Sequence, residues 1–263
     1  MSESAASASD DYDARFQQAL EWIRLLRAEA FNQATEARLA NHLFVLAAEQ
    51  GELTLAQKRA FVCEQLAIQR SDAASFAHLA GHTDFRPKSL VGAKAPAPKQ
   101  QTTSKFDNLF QFLLGGELYA AQLLLDHAKY LGLDGEEAVA NAQPHNHPLA
   151  QAYPAYWTRI ALNQDRAAGA AACAVNFPAW GSMCGRLVKA YQGQDATVSD
   201  QDLAFLQFFA TPIDNLDEMA AHVMAQETAL DYEEIAQHVK LLQEYEVLFW
   251  DACYSAKNID GNE

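Results

Sequence analysis

Apolar residues recur at steps of three and four along most of this chain, the spacing that paints a stripe along an α-helix. Phe16, Leu20, Ile23, Leu26 and Phe31 begin the pattern after Tyr12, and Leu39, Leu43 and Leu46 carry it through a second run from Ala37 to Glu49. Gln50-Gly51-Glu52-Leu53-Thr54 reads as a turn in which Gly51 takes a left-handed C-cap and Thr54 caps the next helix, over 55–79. The periodicity resumes from Phe106 to Tyr130 and stops at Gly132. Further helices are expected over 136–141, 149–162, 166–191, 202–209, 216–227 and 231–257. Proline at 178 removes a backbone donor, so the 166–191 helix is expected to be interrupted or kinked near Asn176-Phe177-Pro178. Alternation of apolar and polar residues never persists long enough to mark a strand. The expected fold is an all-α multi-helix bundle.

The stretches between these patterns set the domain limits. Residues 1–11 are small and polar and read as a tail, 12–257 as a single helical domain, and 258–263 as a second tail. Within the domain, Pro87, Pro96 and Pro98 mix with Lys88, Lys94 and Lys99, which marks residues 83–104 as an exposed loop. Acidic residues outnumber basic ones 34 to 19, a net charge of −15, which argues against nucleic acid or an anionic membrane surface as partner. No apolar run reaches membrane-spanning length, and the first residues have neither a basic start nor an apolar core, so a cytoplasmic location is expected. Cys63, Cys173, Cys184 and Cys253 are scattered without metal-type spacing and read as small core residues.

The last helix carries the broadest apolar face. Ile235, Leu242, Phe249 and Cys253 share one stripe, with Leu241, Tyr245, Leu248 and Ala252 beside it. Glu246 stands among them. A carboxylate there either reaches solvent along the rim or is turned inward, as an acid facing a ligand pocket with Tyr245 as a neighbouring hydrogen-bonding group.

Three blocks taken in order resemble the TenA/PqqC family. They are Asn41 to Gln65 with its Gly-x-Leu turn at Gly51, the segment from Tyr130-Leu131-Gly132-Leu133 to Pro148–Tyr156, and Tyr245-Glu246-Val247-Leu248-Phe249-Trp250-Asp251. The resemblance implies a haem-oxygenase-like helical bundle with a central pocket. The TenA branch cleaves thiamine-related aminopyrimidines with a cysteine, an aspartate, several tyrosines and a glutamate of the last helix. Carried over, Glu246 matches the glutamate, while the aspartate slot falls on Gln65 and the tyrosine a turn later on Ile68. The cysteine slot falls on Phe177 and its following tyrosine on Gly181. Replacing aspartate by glutamine removes the charge that would pair with a protonated pyrimidine, and the nucleophile is gone from its slot, so standard thiaminase chemistry is not expected. Cys184 is the thiol kept as a catalytic candidate beside Glu246 and Tyr245.

Other groups widen the list. Asn176, Trp180 and Arg186 are expected to line an opening at the proline, with Gln65 and Phe249 contributing to ligand contact and Arg186 available to pair with Glu246. Glu218/His222 and Glu234/His238 stand at i,i+4 and are the candidate metal pairs, but such neighbours are ordinary on solvated helix faces, and no metal is expected. His42 is read as structural, with no haem and no other cofactor. The leading reading is an enzyme with a pocket for a small, partly aromatic or heterocyclic metabolite. The alternatives are a cofactorless or di-metal oxidase on the same bundle, and a non-catalytic ligand-binding or regulatory protein. A homo-oligomer is compatible with each.

Overall fold

The computed structural model describes residues 3–98, 109–143 and 146–257. Among them the regular structure is entirely α-helical: α1 (Glu3–Ala28), α2 (Ala30–Ala40), α3 (Leu43–Gln50), α4 (Leu55–Leu79), α5 (Leu109–Tyr130), α6 (Glu136–Ala142), α7 (Ala152–Asn163), α8 (Arg166–Gln194), α9 (Asp200–Ala210), α10 (Leu216–Ala225) and α11 (Tyr232–Ser255). The bundle predicted from periodicity is the fold observed.

Several boundaries follow from local chemistry. Gly51 ends α3 at φ +75°, and Thr54 opens α4 with a reciprocal capping box to Gln57. The run expected over 37–49 is broken at His42, whose backbone is extended (φ −67°, ψ 138°) and whose Nδ1 accepts the Phe44 N–H at 3.1 Å. An imidazole thus starts α3 and separates it from α2. His42 Nε2 also meets Asp251 of α11 at 3.0 Å, so the histidine fastens the last helix to the first turn of α3. At the amino end, α1 begins at Glu3, inside the segment expected to be a tail. The part of the proline and lysine loop that is described, 81–98, holds no helix; the expectations for 99–104 and 258–263 fall outside the described residues.

Helix α8 departs most from expectation. It runs unbroken through Pro178. Proline leaves the carbonyl four residues back without its helical donor, and here that carbonyl, on Ala174, accepts Arg27 Nη2 at 2.6 Å. Arg27 is held in turn by both oxygens of Asp217, each at 2.6 Å. The helix survives its proline because a side chain from α1, oriented by α10, takes over the missing bond.

Two apolar cores fill the bundle. One packs α1, α7, α10 and the first halves of α5, α8 and α11 around Phe76, Trp157 and Met224. The other packs α3, α9 and the remaining halves around Phe61, Phe205 and Trp250. Helices α8 and α9 approach closely because Gly181 has no side chain: a methyl built there meets the Phe209 carbonyl oxygen at 2.8 Å. Gly181→Ala is therefore expected to lower stability by about 1–2 kcal/mol, overpacking of up to about 3 kcal/mol being offset by about 1 kcal/mol of helix propensity. Equal or higher stability in urea denaturation would show that α9 moves aside freely.

Candidate functional site

Between the two cores lies a cavity of about 1240 Å³. Helix α4 presents Gln65, Ile68, Asp72 and Phe76 to it along one stripe, α5 presents Gly116 and Glu117, α7 Tyr153, and α11 Glu246 and Phe249. The α8 segment from Phe177 to Lys189 and the connection Thr211–Asn215 complete the wall, with Arg27 and Asp217 also on it. An interior so rich in phenyl and indole surface, broken by a few polar groups, suits a small flat ligand.

Glu246 faces this space with 5% of its surface accessible. Burial pushes its carboxyl up to about 8, opposed by the Trp250 indole N–H, which donates to Oε1 at 3.4 Å. The inward alternative for Glu246 is the one the fold realises. Phe249 and Trp180 stand beside it on the wall, their ring centroids 5.9 Å apart, and Gln65 lies on the facing helix.

The remaining sequence candidates are distributed differently. Arg186 is on the wall, but its guanidinium is bound to Glu49, through Nε at 2.6 Å and Nη2 at 2.8 Å, and to the Ala40 carbonyl. It closes α8 onto α2 and α3 and does not pair with Glu246, because a salt bridge at the rim keeps both ions partly hydrated. Cys184 is fully buried in the second core, its thiol pushed well up by burial and then by the Glu246 charge, and it is not part of the described lining. Tyr245 sets its ring 5.3 Å from that of Tyr156 and tilted to it by 60°, and Asn176 is buried one residue before the wall begins; neither lines the cavity. Of the i,i+4 pairs, Glu218 is on the cavity wall while His222 bonds to Tyr12, and His238 bonds Tyr156 at 3.0 Å beside Asp165. Among the described residues no three His, Cys, Asp or Glu side chains gather closely enough to hold a metal ion.

Three lining groups were not singled out as ligand contacts from sequence. Asp72 is 5% exposed, and its Oδ1 has no hydrogen-bond partner. Its carboxyl is driven well above the usual range by burial and then by Glu117, whose own carboxyl is raised by burial. The Tyr153 hydroxyl is likewise raised by burial, then by the charges of Asp72 and Glu246. The contrast is with Glu64, as deeply buried but fully engaged by Asn146 at 3.1 Å, the His147 N–H at 2.6 Å, Gln151 at 2.6 Å and Gln143. Glu64 anchors a loop; Asp72 and Glu246 are on the cavity wall. The signal that could have found Asp72 was its step of seven from Gln65, two turns along the same face of α4.

A haem-oxygenase-like helical bundle around an acid-lined cavity is the class these features define. The chain belongs to the TENA/THI-4/PQQC family, whose sequence model matches residues 32–256. Its fold is similar to a TenA homolog from Pseudomonas syringae pv. tomato (13% identity, TM-score 0.66, covering 88% of this chain and 92% of that one). It is also similar to a TenA homologue from P. horikoshii (13% identity, TM-score 0.62, 89% and 98% covered). A protein described as a TenA family transcription regulator from Silicibacter shares the fold at 14% identity, TM-score 0.52, with 89% and 96% covered. No curated protein sequence matches the chain.

Proposed function

We propose that this chain is a pocket enzyme of the acid–base kind, acting on a small, flat, partly aromatic or heterocyclic metabolite, with Glu246 as its acid or anchoring group. The observation that carries the reading is the Glu246 carboxyl, nearly enclosed, set on the wall of an aromatic cavity and shifted to about 8. A carboxyl tuned to that range can give a proton to a ring nitrogen or leaving group and take one back near neutral pH. Phe249 and Trp180 supply faces for the ring, and Gln65 can donate to or accept from its edge without charge.

The chemistry differs from that of a thiaminase. Such a reaction needs a nucleophile against the substrate, and the described lining contains no cysteine. Cys173 and Cys184 are both fully buried with thiols pushed well up, the opposite of an activated thiolate. Proton transfer to or from the bound ring, or attack by a water held at the acids, needs no covalent intermediate. The net charge of −15 supports a small molecule over nucleic acid or an anionic membrane as partner.

Thermal-shift measurements with aminopyrimidines, thiamine fragments and quinone precursors test the reading. A ligand present at about one hundred times its Kd adds about 2.7 kcal/mol to the folded state, a rise of several degrees. Hits are then assayed for turnover, which is expected to fall by about a hundredfold or more in Glu246→Gln. Retention of both the thermal shift and turnover by that variant would remove Glu246 from its role.

A further inference from the structure

The cavity is much larger than the flat ring that the proposed reaction sets at Glu246. A space of about 150 Å³ holds one benzene ring, whereas this one measures about 1240 Å³. The excess has a direction, because a line of aromatic side chains leads from the acid toward the protein surface. Phe249, three residues after Glu246 on α11, has its ring centroid 5.9 Å from Trp180 of α8. Trp180 meets Phe209 of α9 at 5.8 Å, Phe209 meets Phe208 at 5.1 Å, and Phe208 meets Tyr119 of α5 at 5.4 Å. Phe249, Trp180, Phe209 and Phe208 line the cavity, while Tyr119 stands outside the described lining and is 60% exposed. We propose that the ligand of this site is amphipathic, a flat ring at Glu246 carrying an apolar tail that runs along these rings toward the α5–α9 edge of the cavity. This deepens the proposed function and rests on it for the position of the ring.

The rings along this line are incompletely covered by the protein. Trp180, Phe208 and Phe209 pack against the second core with one part of their surface and keep another part accessible. Apolar surface left in contact with water is costly, and a tail laid over it returns that water to the bulk. Phe112 of α5 continues the apolar surface: it lines the cavity and is 51% exposed. It lies two helical turns before Tyr119, and Gly115 and Gly116 stand between them. A methyl built on Gly115 meets nothing within 4 Å, and one on Gly116 meets the Phe208 ring at 3.6 Å. No side chain therefore obstructs α5 between its two aromatics. Exposed aromatics standing singly are ordinary; these two extend the wall of a large cavity.

The wall also sets the character of the tail. From Leu109 to Gly116 on α5 and from Leu203 to Ala210 on α9 no residue is charged. An anionic tail would meet Asp214 and Glu218 on the lining. Of the cations there, Arg27 is held by Asp217 and Arg186 by Glu49, which leaves Lys189 among the described residues. A cationic tail gains little from Asp214 or Glu218, because the first is exposed and the second partly so, and ion pairs in water contribute little. A hydrocarbon tail, by contrast, gains with each methylene it buries.

A series of 4-alkylpyridines from methyl to hexyl tests the tail apart from the ring. Calorimetric titration of the full-length protein is expected to show affinity rising about two- to fourfold per methylene. 4-Hexylpyridine should then bind at least about thirtyfold more tightly than 4-methylpyridine. Gly116→Leu, which sets a side chain in the path, and the surface pair Phe112→Gln/Tyr119→Gln should each remove most of that ratio, with circular dichroism reporting both folded. Leu162→Gln, at an exposed apolar residue outside the lining, should leave the ratio unchanged. Glu246→Gln should weaken every member by a similar factor and keep the ratio. No gain with length in the parent, a gain undiminished in both tail variants, or an equal loss in Leu162→Gln overturns the tail path. If the short members need Glu246 but longer ones gain nothing, the tail path falls and the ring site stands. A gain with length that is indifferent to Glu246→Gln upholds the tail path and overturns the ring site, and no binding by any member overturns both. Light scattering that shows the parent as a dimer and Phe112→Gln/Tyr119→Gln as a monomer would overturn the tail path in favour of a second copy of this chain.

Discussion

At pH 8, Glu246→Gln melts about 5 °C above the parent protein, and the difference closes as the pH is lowered to 4.5. The folded protein raises this carboxyl from 4.5 to about 8 because burial disfavours its charge. Between those values the native state holds a proton that the unfolded chain has lost, so stability falls as the pH rises and the loss is complete near the folded value. The shift sets an upper bound of about 5 kcal/mol; water in the cavity reduces it, and about 2 kcal/mol corresponds to about 5 °C in a chain of this size. Glutamine keeps the shape and the oxygen that accepts from Trp250 but cannot ionise. Asp72→Asn should change stability in the same direction, because its carboxyl is raised for the same reason. A glutamine variant no more stable than the parent at pH 8 would mean that Glu246 ionises without strain. With the expected loss of turnover, the outcome would be a residue that costs stability where it serves chemistry.

Trp250→Ala has the largest expected cost in stability, about 3–5 kcal/mol, or roughly 10 °C in melting temperature. The indole is fully buried and sits among Phe44, Phe61, Trp180 and Phe249, with ring centroids 5.4, 5.7, 5.3 and 5.1 Å away. Its removal leaves a void beside the cavity and takes the indole N–H donor from the Glu246 carboxyl. The acid should then titrate higher still, so any pH profile of turnover that depends on Glu246 shifts to higher pH. Trp250→Phe separates the two effects, since it retains much of the packing while removing the N–H. A loss below about 1 kcal/mol in Trp250→Ala would show that the cluster collapses around the gap.

The bundle was legible because its signal is repeated. Stripes such as Phe16-Leu20-Ile23 and Leu242-Phe249-Cys253 state one period many times, and Gly51 and Thr54 punctuate it with side chains that suit a single backbone geometry. Breaks were harder to read where the deciding partner is remote in sequence. Nothing near Pro178 announces that Arg27, some 150 residues earlier, supplies the donor that keeps α8 whole. At the site, Glu246 was marked by standing polar in an apolar face and by its place in the closing motif. Asp72 looked like one more acid between Ser71 and Ala73 on a long helix, and only the packing of α4 against α5 shows that it shares the cavity wall with another acid, Glu117. Arg186 was drawn toward the wrong carboxylate for the same reason: charge in a sequence names a type of partner but not which one folding brings near.

Arg27 has a consequence for how this scaffold can diversify. It borders the chamber from α1, a segment that precedes the stretch shared with the family, 32–256. The wall is thus formed in part by a helix outside that stretch, while Asp72, Glu117 and Glu246 lie within it. Substitutions in that helix can reshape one side of the chamber and leave the acids on α4, α5 and α11 where they are.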